Sequence, residues 1–147
     1  MGDTIVFDKA KWHYDGNFPI DLSEDQAFVH TGMFVGWVID AGLYSEEFAE
    51  DFEEEIRKFK ARKLTGAGVD RLGDGVFDDD MLSKEGKAFT RTYFDFEKGK
   101  YLKDYESLLA GGLPTQYHVQ DTWENYDRLK LQIDKRFAAW RKKRRSK

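Results

Sequence analysis

The sequence predicts a single all-α domain over residues 1–147: a bundle of about five helices around one central apolar helix, with an irregular N-terminal arm. Three observations predict it. Ser23, Ser45 and Asp121 each stand just ahead of a segment with helical patterning, where a short acceptor side chain satisfies the orphan amides of a helix start. Within those segments apolar residues recur at three- and four-residue intervals rather than alternating. Twelve Phe, seven Tyr and four Trp among 147 residues supply a substantial core, with rings to spare for a binding surface.

Residues 1–22 form the arm. Asp15-Gly16-Asn17 and Pro19 are turn signals, so a short strand or a turn of helix is the most regular structure expected there. Its aromatic residues favour wrapping the core over exposure. Ser23-Glu24-Asp25-Gln26 has the form of a capping box and opens a helix that runs to Gly42. Ala27, His30, Phe34, Trp37, Val38 and Ala41 share one face, and Phe28, Val35 and Ile39 cover a second beside Gly32 and Gly36. Apolar nearly all round, this is the central helix, and its two glycines invite close approach of a neighbour.

A second helix is expected from Glu46 to Lys63, on the Phe48, Phe52, Ile56, Phe59 interval. Its acidic first half and basic second half suit the helix dipole, with Glu53–Arg57 and Glu54–Lys58 as favourable pairs. A glycine-rich stretch from Thr65 to Gly75 holds a short helix around Val69–Leu72. Asp78-Asp79-Asp80 leads into a helix over Met81–Phe96, and Tyr101–Leu109 continues as helix until Gly111-Gly112-Leu113-Pro114. The last helix, capped by Asp121, carries the stripe Trp123, Tyr126, Leu129, Ile133, Phe137 and Trp140.

The net charge of −4 hides a segregation. Six of the 24 basic residues lie in the tail, residues 141–147, which leaves 18 against 28 acidic residues in the body. An acidic body steers toward basic partners and repels nucleic acid, so no specific nucleic-acid binding is expected. The tail contains no aromatic residue, and a solvated helix end favoured by the dipole accounts for it. The run Ala27–Leu43 is broken by His30, Thr31 and Asp40 and is too short for a membrane span. Met1-Gly2-Asp3-Thr4 has neither the basic start nor the apolar stretch of a secretion signal, so a cytoplasmic location is expected.

Without cysteine, thiol catalysis, disulfides and cysteine-ligated zinc are excluded. Asp70–Met81 aligns partly with a calcium-binding loop, with Asp70, Asp74, Gly75 and Asp78 in register. Leu72 and Met81 occupy two ligand positions, and Met81 replaces the bidentate glutamate, which argues against calcium. His13, His30 and His118 each sit beside large aromatics and can converge. No two are spaced as metal ligands on one helix, so neither a metal nor a cofactor is expected. No serine has a nucleophile elbow, and the carboxylates form no acid–base motif, so an enzyme is the lesser expectation.

Lys11-Trp12-His13-Tyr14, the stretch His30-Thr31-Gly32-Met33-Phe34-Val35-Gly36-Trp37, and Tyr117 to Asp127 together resemble a family of small, acidic, stand-alone bacterial proteins of no assigned function. The resemblance spans about Phe7 to Trp140 and implies no catalytic residue. In size and charge alone the chain is similar to immunity proteins. The leading expectation is a non-enzymatic protein that masks a basic protein partner through Glu46, Glu47, Glu50 and Glu54. The alternative is a small-ligand binder or enzyme using Trp12, His13, Tyr14, His30, His118 and Trp123.

Overall fold

The structure, a computed structural model, describes residues 5–16 and 18–145. Met1–Thr4, Asn17, and Ser146 and Lys147 of the basic tail lie outside the described residues, and with them the reading of the N-terminus. Among the described residues the fold is mostly helical, as expected, but it is not purely α. Two strands, β1 (Val6–Lys9) and β2 (Val76–Asp78), pair antiparallel, with Val6 opposite Asp78, Asp8 opposite Phe77 and a bulge between. At four and three residues, neither strand is long enough to display an alternating pattern. The arm therefore has both a strand and, immediately after it, helix α1 (Ala10–Tyr14).

The central helix is α2 (Val29–Ala41), in which every residue from Val29 to Ile39 is buried. Gly42, at φ 70°, ends it in the left-handed conformation that glycine adopts without strain. Its entry differs from expectation. Ser23 accepts from the Asp25 amide at 3.2 Å and opens a 3-10 turn over Glu24–Phe28. Gln26 does not close a capping box; its Nε2 donates to the Tyr117 and Val119 carbonyls at 2.8 and 2.9 Å. A side chain read as local thus ties the chain to a loop some ninety positions away.

The expected helix from Glu46 to Lys63 is two helices, α3 (Glu46–Asp51) and α4 (Glu53–Lys60). They break at Phe52, whose backbone (φ −120°, ψ 27°) leaves the helical region while its ring stacks on Phe48 at 4.7 Å. Arg57 pairs with Glu54 rather than Glu53. After α5 (Gly66–Leu72), capped by Thr65, come β2 and a 3-10 turn over Asp79–Met81. Helix α6 (Lys84–Tyr93) starts later than Met81 and stops short of Phe96, because the effective cap is Ser83, which accepts from the Gly86 amide at 3.1 Å.

Helix α7 spans Tyr101–Leu109 and α8 spans Trp123–Arg145. Thr122 rather than Asp121 caps α8, taking the Asn125 amide at 3.1 Å, while Asp121 accepts from the Thr65 hydroxyl at 2.7 Å. The apolar stripe of α8 buries Tyr126, Leu129 and Ile133, and Asp134 accepts from the Trp37 indole at 2.9 Å. Residues 141–145 of the basic tail continue this helix, and Arg141 pairs with Glu85 at 2.9 Å. Among the described residues no helix is long and apolar enough to cross a membrane.

The core gathers around α2: Phe34, Trp37, Phe77, Phe89, Phe94 and Tyr101 are all essentially inaccessible. Helices α2 and α5 meet at backbone contact. A Cβ on Gly32 would overlap the Ala67 backbone, and one on Gly66 would overlap the Gly32 carbonyl. Gly36 faces the Phe59 ring instead. Gly32→Ala should therefore destabilise the fold by about 2 to 3 kcal/mol through overpacking. Gly111→Ala, where an added Cβ meets nothing within 4 Å, should cost well under 1 kcal/mol. Urea denaturation of both variants measures the contrast, and equal midpoints would contradict the packing.

Candidate metal centre

Strand β1 carries Asp8 inward beside α1 and α2. The strand's pairing with β2, and the bond from the Ala10 amide to the Gly75 carbonyl at 2.8 Å, set where α1 begins. Five residues beyond Asp8, His13 turns back over it, and His30 meets both from the first turn of α2. Asp8 Oδ1 lies 2.7 Å from His13 Nε2, and Asp8 Oδ2 lies 3.4 Å from His30 Nε2. The two imidazole Nε2 atoms are 3.2 Å apart. Asp8 and His30 are buried, and His13 retains 14% side-chain exposure, which leaves the cluster one route to solvent.

Each group has an orienting partner. Tyr117 Oη lies 2.7 Å from His13 Nδ1, and the Thr31 hydroxyl donates to Asp8 Oδ2. The Tyr101 hydroxyl donates to the His30 carbonyl, and the Phe96 ring packs against both imidazoles. Among the described residues His30 Nδ1 is buried without a hydrogen-bond partner, so this ring is held by packing and by its Nε2 side. Burial pushes the Asp8 carboxyl up, but hydrogen bonds and charge from His13 and His30 outweigh it and bring it down to about 2. Burial pulls His30 below its ordinary value, partly offset by Asp8. The cluster at neutral pH thus contains an ionised carboxylate facing a neutral imidazole, the protonation states of metal ligands. Among the described residues Asp8, His13 and His30 form a group whose ligand atoms all lie within 4.8 Å of one another.

Of the six residues expected to line a ligand site, the structure brings together His13 and His30. Trp12 points to solvent at 55% exposure, with Lys9 Nζ 5.8 Å above its ring. Tyr14 is half-buried and takes no part in the cluster's hydrogen bonds. His118 lies in a separate network, 2.8 Å from Thr115 Oγ1 and 3.2 Å from Asp21. Trp123 packs on Phe59 at 5.2 Å beneath the Arg62 guanidinium. Asp8, Thr31 and Tyr117 complete the cluster without having been expected in it. A carboxylate directly after Ile5-Val6-Phe7 was the available signal for Asp8. The four glutamates, Glu46, Glu47, Glu50 and Glu54, are all exposed, as their positions off the aromatic stripe required.

The partial calcium-loop alignment dissolves in the fold, since Asp70 to Met81 form the end of α5, strand β2 and a 3-10 turn. Asp70 is buried at 2% exposure, and its Oδ1 has no partner among the described residues. Burial, with a further push from the Asp8 charge, raises this carboxyl to about 8.

Residues 6–119 match the model of a protein family described as a domain of unknown function, DUF7832, and the chain belongs to that family. The matched span holds all the cluster residues and ends where the resembling stretch from Tyr117 to Asp127 has barely begun. No curated protein matches the chain, and no solved structure does.

Because the folded pKa of Asp70 lies above its unfolded value of 3.8, the folded state holds the extra proton between those limits. The contribution of Asp70 to stability is full below pH 4 and falls as pH rises toward 8. Asp70→Asn should flatten that decline, gaining about 1 to 3 kcal/mol over the parent at pH 8 and little at pH 4. Thermal melts across this range provide the measurement, and parallel curves for the two proteins would exclude a buried, protonated Asp70.

Proposed function

We propose that this member of the DUF7832 family binds a divalent transition metal ion through Asp8, His13 and His30. The observation that carries the reading is the set of separations among the three ligand atoms, 2.7, 3.2 and 3.4 Å. With metal–ligand bonds of about 2.0 to 2.1 Å, ligand atoms sit about 2.9 Å apart in an octahedron and about 3.3 Å apart in a tetrahedron. An ion takes the place of the proton between Asp8 and His13, and the shortest separation opens by a few tenths of an ångström. Tyr117 on His13 and Thr31 on Asp8 supply the outer hydrogen bonds that orient metal ligands. Two imidazoles and one carboxylate suit zinc, ferrous iron, cobalt or nickel better than calcium or magnesium. Three protein ligands leave at least one coordination position for water or a small ligand.

Zinc at 100 times its dissociation constant should stabilise the protein by about 2.7 kcal/mol, read as a rise in melting temperature that a chelator reverses. His13→Ala, at a partly exposed position, should fold and lose the response, whereas His118→Ala should keep it. Unchanged melting of the parent with zinc, cobalt, nickel and anaerobic ferrous iron would overturn the reading.

A second reading has its own support in the exposed acidic surface of α3 and α4. Glu46, Glu47, Glu50 and Glu54 all face solvent, and among the described residues Glu54 alone of the four is in a salt bridge, with Arg57. Such a surface suits a non-enzymatic, immunity-type role in a bacterial cytoplasm, masking a basic protein partner by steering its approach and occluding it. Glu46→Lys with Glu50→Lys should then slow association with that partner, and reduce its salt dependence, without changing the melting temperature. Capture of a partner from host extract, equal for parent and double variant, would remove this surface from recognition.

A further inference from the structure

The basic tail has no aromatic residue of its own, yet the fold sets it beside several. Helices α6 and α8 diverge around Thr92, Trp140 and Lys143, which line two adjoining cavities of about 260 and 220 Å³. Together these fall in the lower part of the range of small-molecule sites, about 300 to 1,000 Å³. The floor is apolar, built from Phe89, Tyr93, Ala139 and Trp140. Around it stand Lys98 and Lys100 from the α6–α7 turn and Lys143 and Arg144 from α8, and among the described residues no carboxylate lines it. Among the described residues none of these four cations is in a salt bridge within 4.0 Å. Arg136 also lines the groove, but Asp104 holds it through two 2.9 Å bonds, which makes it a wall rather than a free charge.

The positions of the lysines are built in. Asp95 Oδ1 accepts from the Glu97 and Lys98 amides at 2.8 and 3.0 Å, and the Lys100 amide donates to the Tyr93 carbonyl at 3.1 Å. Between the lysines, Gly99 lies against the Tyr93 and Asp95 carbonyls, where a Cβ would overlap both. A tight turn that admits only glycine at its crossing holds Lys98 and Lys100 at one mouth of the groove. At the other, the Arg144 guanidinium rests 4.9 Å from the centre of the Trp140 ring.

We propose that this groove is a second binding site, independent of the Asp8 cluster, for a phosphate-bearing aromatic ligand of the nucleotide class. Four cations without a salt bridge among the described residues call for a ligand with several negative charges, which a fatty acid or simple carboxylate lacks. The apolar floor calls for a planar or apolar body attached to them. The acidic remainder of the surface disfavours a long polyanion that must extend beyond the groove.

Isothermal titration at 0.15 M salt, with ATP, GTP and inorganic tripolyphosphate as probes, tests this directly. A nucleotide should bind saturably and at least tenfold more tightly than tripolyphosphate. Lys98→Ala with Lys143→Ala, both at exposed positions, should weaken it tenfold or more at an unchanged melting temperature, and His13→Ala should leave it intact. Failure of either nucleotide to saturate at millimolar concentration overturns the proposal. So does equal affinity for tripolyphosphate, which would make the apolar floor irrelevant. A single-stranded oligonucleotide that binds more tightly than either nucleotide would assign the groove to nucleic acid instead.

Discussion

The contact between α2 and α5 is the constraint on which the rest of the architecture depends. Gly32 and Gly66 let two backbones touch where any side chain would hold them apart. From α5 the chain turns through Gly75, at φ 70°, into β2, and β2 fixes β1 by pairing. Strand β1 carries Asp8 and leads into α1, which carries His13, while His30 stands on α2 itself. The three groups of the cluster are thus positioned by one helix and by a sheet docked to it through its nearest neighbour. A shift of a fraction of an ångström at the glycines would be passed on to all of them, because a packed interior transmits strain.

Two buried carboxylates in this region follow opposite courses, and the difference lies in their donors. Asp8 faces two imidazoles and a hydroxyl, which together outweigh the cost of removing its charge from water. Asp70 has no donor at Oδ1 among the described residues, and its burial favours the protonated form. The charge on Asp8 adds to that outcome. Having one of two neighbouring acids neutral keeps the buried region from holding two uncompensated negative charges, and it leaves Asp8 as the group able to attract a cation.

Much of the helical framework was legible because its signals are local. Ser45, with its acceptor three residues ahead of a packed Phe48, reads as a cap and is one, and Gly42 reads as a stop and is one. The failures occur where a residue's local reading competes with a distant partner. Gln26 suits a capping box but binds two carbonyls beyond residue 116, and Asp121 suits a cap but accepts from Thr65, leaving that work to Thr122. Phe52 keeps the helical interval and stacks on Phe48, and still breaks the helix through its own backbone, at φ −120° and ψ 27°. For the cluster, the histidines were visible as types, but the partner that gives them chemical meaning is an aspartate in a strand too short to be seen. The aromatic wall beside the basic tail was likewise hidden, because Phe89 and Tyr93 reach it from another helix.

Tyr117 and His13 touch across 104 positions, and His13 and His30 across 17. Loop closure over the longer separation must be complete before Tyr117 can orient His13, whereas Asp8 and His13, five positions apart, can meet without it. The His13 ring is therefore fixed late: its Nδ1 partner arrives only when the loop after α7 has closed on the N-terminal arm.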